Sequence, residues 1–218
     1  MYIHVIQKCI LKFTFPYKKI SFGEEIFKVL LYIVLNHNMA FIIKVRDKSP
    51  LLGINCWLAQ NATVVGDVIM GNNCTVWFNA VIRGDVHEIR IGNDTNIQDG
   101  AVIHCTYKQA GTYIGNRVSI AHNAIVHGCT IHDDVLIGMG AIVMDGAIVH
   151  SGAVIAAGAV VLANTIVEAD SIYAGMPARK VKATGENMKA VIKRTAENYP
   201  KYAGWFDEQE KNQKDESL

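Results

Sequence analysis

The stretch "VLIGMGAIVMDGAIVHSGAVIAAGAVVLANTIV", residues 135–167, repeats itself every six residues. Ile137, Val143, Val149, Ile155, Val161 and Val167 stand six apart, and Ala141, Ala147, Ala153 and Ala159 follow the first four of them at a fixed offset. A period of six does not fit an α-helix, whose apolar positions recur at about 3.6 residues. It fits short strands joined by tight turns, in which one side chain points inward and the next outward. Three hexapeptides close one coil of a prism, and coils stack because each buries its apolar edge against the next.

The frame extends toward the N-terminus. It passes Ile131, drops one residue, and continues through Val126, Ile120 and Ile114. The insertion "YKQAGTY" (107–113) interrupts it, and Ile103, Ile97 and Ile91 resume it. A three-residue slip precedes Ile82, Val76, Met70, Val64 and Leu58. Eighteen aliphatic positions predict six coils, an all-β solenoid of hexapeptide repeats over residues 39–182. "YAGMPARKVK" (173–182) reads as an extended exit strand. Residues 183–210 read as a C-terminal helical segment, with apolar residues at Met188, Val191, Ile192 and Ala196 and with Thr184 or Asn187 as the cap. Pro200 is expected to end that helix, and a second short one to cover "YAGWFDEQE" (202–210). The polar residues 211–218 are expected to fray.

Composition narrows the function. Half of the 218 residues are hydrophobic, 19% are charged and the net charge is +1, so a packed core is expected. No basic stretch interleaves with aromatics, which argues against a nucleic-acid partner. Five cysteines form no CxxC pair and their count is odd, which suggests free thiols in a reducing, cytoplasmic setting. Residues 1–38 do not match the rest. Their apolar run "IFKVLLYIVL" (26–35) is too short and too interrupted to span a membrane, and no small-residue cleavage site follows it. These residues read either as a short amphipathic or buried helix or as sequence upstream of a true start at Met39. The second reading is favoured because "MAFIIKVRDKSP" resembles an opening strand.

Labelling the prism faces a, b and c from Leu58 locates the histidines. His104 follows Ile103 and His127 follows Val126, so both point outward on face b, one coil apart. Stacked coils lie about 4.8 Å apart, close enough for two imidazoles to share one metal ion with Zn–N bonds of about 2.0–2.1 Å. His122, two residues after Ile120, lies at the turn leaving face a and cannot easily join them. If prisms pack as a trimer, His122 of one subunit could meet His104 and His127 of the next. Arg83 extends the His104 column by one coil. Asp99 stands one coil below His122. Asp85 and Gln98 are close in coil number, so Arg83 with these carboxylates suggests an inter-subunit salt bridge and support for the site. Plainer readings stand beside these: solvated histidines, a structural Arg83–Asp85 pair, Cys105 as a core thiol, and Tyr107 as either a pocket residue or part of the insertion loop. His132 and His150 also share a column, on face c, and no role is assigned to them.

The stretches "NAVIRGDVHEIRIGNDTNIQDGAVIH", "YIGNRVSIAHNAIVHGC", "VLIGMGAIVMDGAIV" and "YAGMPARKV" resemble the γ-class carbonic anhydrase family, in its short bacterial branch of the YrdA and PaaY kind. The resemblance covers about Met39 to Tyr202. It implies a homotrimer of left-handed β-helices with a C-terminal helix, binding zinc, iron or cobalt between subunits. It implies His104, His122 and His127 as metal ligands, Arg83, Asp85, Gln98 and Asp99 as interface and supporting residues, and Asn96 beside the active site. The implied reaction is reversible hydration of CO₂ to bicarbonate by metal-bound hydroxide, with Gln98, Asn96 and Tyr107 as candidate catalytic residues. The chain departs from the archetype where that enzyme carries shuttle glutamates: Val86 and Tyr107 stand there, and Glu88 is off the frame. Turnover is therefore expected to be low. Three competing readings follow: a hexapeptide acyltransferase with one catalytic histidine, a CoA thioesterase using the same metal site, and a non-catalytic metal-stabilised scaffold.

Overall fold

The computed structural model describes residues 40–215, so the two readings of residues 1–38 fall outside the described residues. The chain forms a left-handed parallel β-helix of about seven turns followed by one C-terminal helix. The six-residue frame accounts for its pairing. On face b, Val64, Ile82, Ile103, Val126, Val143 and Val161 partner in succession. Face c carries Met70, Ile91, Ile114, Ile131, Val149 and Val167, and face a carries Leu58, Val76, Ile97, Ile120, Ile137 and Ile155. Most of these side chains are fully buried, as are Ala62, Cys74, Ala80, Ala101 and Ala124. The small residues leave room at the axis for the branched ones to fill.

The prism is longer than the six coils counted from aliphatic positions. Leu52 pairs with Met70 and Tyr173 with Ile155, each one further step of six outside the counted run, and Phe41–Ile43 adds a strand beside Thr63–Val65. At the corners the chain turns sharply and leaves amide hydrogens without strand partners. Asparagine and aspartate side chains accept them. Ile54 N donates to Asn72 Oδ1, Asn72 N to Asn93 Oδ1, Asn93 N to Asn116 Oδ1 and Asn116 N to Asp133 Oδ1, at 2.8–2.9 Å. Beside this ladder Asn55, Asn73, Asp94, Arg117 and Asp134 adopt left-handed backbone conformations, φ 53–57°. Asparagine and aspartate tolerate that region best among residues with a side chain. Arg117 is held there by two 2.7 Å hydrogen bonds to Asp134.

Four expectations for the C-terminal part need correction. Residues 173–182 are not one exit strand: Ser171–Gly175 continues face a, and Ala178–Ala183 folds back on it antiparallel after the cis Met176–Pro177 bond. The helix does not end at Pro200, and no second helix follows among the described residues. One helix, α1 (Glu186–Asp215), runs through Pro200 and includes the start of the segment expected to fray. Neither Thr184 nor Asn187 caps it. Thr184 Oγ1 is buried without a partner, Asn187 lies inside the helix, and Met188 N and Lys189 N donate to Gly185 O instead.

Aromatic packing explains why α1 survives its proline. Tyr199 and Phe206 flank Pro200, and both rings meet Trp77 of face a, at 5.2 and 5.9 Å between centroids. Trp57 and Phe78 complete the cluster, each 5.5 Å from Phe206. Both halves of the helix are thereby pinned to one face. This contact outweighs the hydrogen bond and steric fit that proline forfeits, about 3 kcal/mol in an unsupported helix.

Candidate metal centre

His104 and His127 stand side by side on face b. Their backbones pair in register, and His104 Nδ1 lies 3.1 Å from His127 Nε2. Each ring offers its other nitrogen to a carboxylate. His104 Nε2 donates to Asp85 Oδ1 at 3.1 Å, and His127 Nδ1 donates to Asp145 Oδ1 at 2.5 Å. Asp85 is in turn gripped by Arg83 Nη1 at 2.6 Å, and Asp145 accepts from Thr106 Oγ1.

This arrangement sets the tautomers. With Nε2–H of His104 and Nδ1–H of His127 both donated to carboxylates, the two facing nitrogens each present a lone pair. Two acceptors 3.1 Å apart repel one another unless a cation or a shared proton lies between them. Two ligands at about 2.0–2.1 Å in tetrahedral geometry lie roughly 3.3 Å apart. The pair therefore fits a metal ion, and the carboxylate behind each ring is the partner that metal-binding histidines usually have.

His122 sits at the corner leaving face a, where its Nδ1 lies 2.9 Å from Asp99 Oδ2. It repeats the same carboxylate–imidazole unit at a different corner. Among the described residues of one chain, no three His, Cys, Asp or Glu side chains gather to hold a metal ion. His122 and the His104–His127 pair therefore do not form a three-ligand centre within one chain.

Electrostatics supports neutral imidazole at His104. Burial and the charges of Arg83 and His127 push its pKa below the ordinary histidine value, against the opposing pull of Asp85. Burial would raise Asp85, but hydrogen bonds from His104 and Arg83 outweigh it and hold the carboxylate below its ordinary range. Asp145 follows the same pattern, through Thr106 and His127.

The remaining candidates fall in different places. Asn96 and Gln98 lie on face a and are buried. Gln98 Nε2 donates to Asn96 Oδ1 at 3.0 Å, and Asn96 Nδ2 donates to Ser119 Oγ at 2.8 Å. Arg83 and Asp85 pair within the chain itself. Tyr107 is exposed in the short insertion loop, with Lys108 Nζ 5.1 Å from its ring. Glu88, the acid nearest the missing shuttle positions, is committed to Arg90 Nη2 at 2.7 Å and to the Tyr113 hydroxyl at 2.8 Å. Cys105 is buried, its thiol donating to His87 O at 3.2 Å. Sequence reasoning missed Asp145 and Thr106. Asp145 could have been found from the frame, since it stands two residues past Val143, the position stacked on Val126.

Comparison with known proteins bears on this site. Residues 49–84 and 128–163 match the family described as "Bacterial transferase hexapeptide (six repeats)". A protein of Methanocaldococcus jannaschii named "Probable carbonic anhydrase" is 52% identical over 69% of this chain and 94% of its own length. "Protein YrdA" of Escherichia coli is 41% identical over 75% of this chain and 90% of its own. The chain belongs to the γ-class carbonic anhydrase family. It spans only 59% and 61% of the two Arabidopsis thaliana mitochondrial γ carbonic anhydrases, to which it is 37% and 36% identical. Among solved structures, a hexapeptide transferase family protein from Anaplasma phagocytophilum aligns at TM-score 0.73 and 35% identity, over 76% of this chain and 98% of that one. No helix among the described residues is long and apolar enough to cross a membrane.

Proposed function

We propose that this chain is a metal-dependent, γ-type carbonic anhydrase that hydrates CO₂ reversibly at sites shared between the subunits of a homotrimer. The carrying observation is the in-register His104–His127 pair, whose facing nitrogens are 3.1 Å apart and whose outer nitrogens are each tied to a carboxylate. His104 and His127 of one subunit and His122 of the next would hold zinc, iron or cobalt. When bound, the ion acts as a Lewis acid that makes hydroxide available from water near neutral pH.

The chain's own residues have separable tasks. Asp85, Asp145 and Asp99 fix which nitrogen of each imidazole stays free. Arg83 keeps Asp85 in place. The buried Gln98–Asn96–Ser119 chain gives the adjoining face a rigid polar wall that can orient a small oxygen-bearing substrate. With Val86 and Tyr107 at the glutamate positions of the archetype, and Glu88 held by Arg90 and Tyr113, proton export to bulk is slow and turnover low.

Three facing imidazoles are more than an acyltransferase base requires, which disfavours that reading despite the shared fold. The test is metal content, light scattering and stopped-flow CO₂ hydration on wild type and His122→Ala. The reading predicts a trimer with about one metal per subunit, with metal and hydration both lost in the variant. Metal without hydration would favour CoA thioester hydrolysis or a scaffold, and absence of metal from the wild type would return the acyltransferase to first place.

A further inference from the structure

Two thiols remote from the histidines occupy equivalent positions in consecutive coils. Cys56 and Cys74 precede the paired residues Trp57 and Thr75, and Trp57 N donates to Cys74 O at 2.9 Å. Each sulfur lies 3.1 Å from a glycine carbonyl of the following coil, Cys56 Sγ from Gly71 O and Cys74 Sγ from Gly92 O. The two side chains are therefore related by one coil translation, about 4.8 Å. That separation lies within the roughly 4.4–6.8 Å of Cα spacing that a disulfide accepts.

Their surroundings differ. Cys74 is fully buried, whereas Cys56 is half-buried and opens on a groove of about 1020 Å³ between the corner ladder and α1. The adjacent Cys74 thiol pulls Cys56 well below the ordinary thiol range, outweighing burial, while Cys74 itself is pushed up and keeps its proton. A half-exposed thiol one coil away from a fully buried one is the pairing from which a reactive and a resolving cysteine are made. Among the described residues Trp57–Leu58 is the end strand of its sheet, paired on one side only, with Thr75–Val76. Cys105 and Cys129 are buried, burial pushes both up, and neither opens on the groove.

We infer that Cys56 and Cys74 form a peroxide-responsive dithiol, in which Cys56 is the site of oxidation and Cys74 its resolving partner. The Cys56 thiolate attacks one oxygen of hydrogen peroxide. An S–O bond forms, the O–O bond breaks, and the leaving hydroxide takes a proton to become water. Cys74 then gives up its proton and attacks the Cys56 sulfur. An S–S bond forms, the S–O bond breaks, and a second water leaves. Two thiols are oxidised and one peroxide is reduced to two waters. The product staples the first two coils together along the edge of the groove.

The test uses the intact, reduced chain with all five cysteines. It is exposed to stoichiometric hydrogen peroxide, blocked with N-ethylmaleimide and mapped by mass spectrometry. No Lys or Arg lies between Ser49 and Arg83, so one tryptic peptide carries both cysteines, and cleavage at Asp67 separates them. The expected result is a peptide lighter by two hydrogens whose halves stay joined until reductant is added. In Cys74→Ser, dimedone should trap a sulfenic acid at Cys56. Without oxidant, iodoacetamide at neutral pH should label Cys56 at least about tenfold faster than Cys105 or Cys129. Labelling of Cys56 no faster than Cys129 overturns the inference. So does a dimedone adduct on wild-type Cys56 with Cys74 left free, or a crosslink from Cys56 to Cys9 or to a second chain.

Discussion

At the scale of single residues, the site depends on which nitrogen each imidazole keeps free. Asp145 illustrates this. It receives the His127 Nδ1 proton and the Thr106 hydroxyl, so it fixes both the tautomer and the ring's direction. An Asp145→Asn change keeps the size but offers an amide in place of a charged acceptor. We expect metal affinity to fall about 10- to 100-fold, the usual effect of removing a histidine's outer partner, as measured by competition with a chromogenic chelator. The proposed trimer should survive. Unchanged affinity would mean that Asp145 is only a surface acid. The histidines were legible in the sequence because columns follow from counting by six. Their carboxylates were only partly legible: Asp85 and Asp99 stand one coil before their histidines, 19 and 23 residues away, whereas Asp145 stands one coil after His127, 18 residues away. The hydrogen bond between them exists only once two coils have stacked.

At the scale of elements, α1 and face a hold one another. Trp77 is almost fully buried and touches Trp57, Phe78, Tyr199 and Phe206. Truncation in Trp77→Ala should cost about 3–5 kcal/mol, as for large aromatic truncations in cores. The loss should be local. Amide exchange and proteolysis should accelerate in α1 while the far-ultraviolet signature of the β-helix persists. Loss of the whole fold in one transition would instead show that helix and prism are a single cooperative unit. The helix was legible in its apolar spacing, but its length was not. Pro200 reads locally as a stop, and only the ring contacts on both sides of it reverse that reading. The same holds for residues 173–182, where a turn at Met176–Pro177 converts an expected strand into a hairpin.

At the scale of the whole molecule, the corners carry many of the charges, and they set how stability responds to acid. Asp133 is held below the ordinary carboxyl range by the Asn116 backbone amide, and Arg117 adds to this. Burial would raise Asp67, but Arg90 and Lys48 bring it down. A carboxyl whose folded value lies below its unfolded value of about 3.9 contributes its stability above that pH and loses it as pH falls through the folded value. Thermal midpoints should therefore begin to decline below about pH 6.5, where the unfolded chain protonates His104 first, and fall more steeply below about pH 4, with a shallower acid limb in Asp133→Asn. A midpoint that rises on acidification would contradict this sign.

The sequence by itself determined the solenoid, its three faces and the residue that each inward position contributes. Those follow from a period that only stacked coils can satisfy, and each six-residue step is a local constraint. It also determined that His104 and His127 share a column while His122 does not. Tertiary structure alone decided the continuity of α1 through Pro200, the hairpin before it and the contacts by which Asp85 and Asp145 hold their imidazoles. Each of these rests on contacts between residues far apart in the chain, whose energies appear only when the coils are brought together.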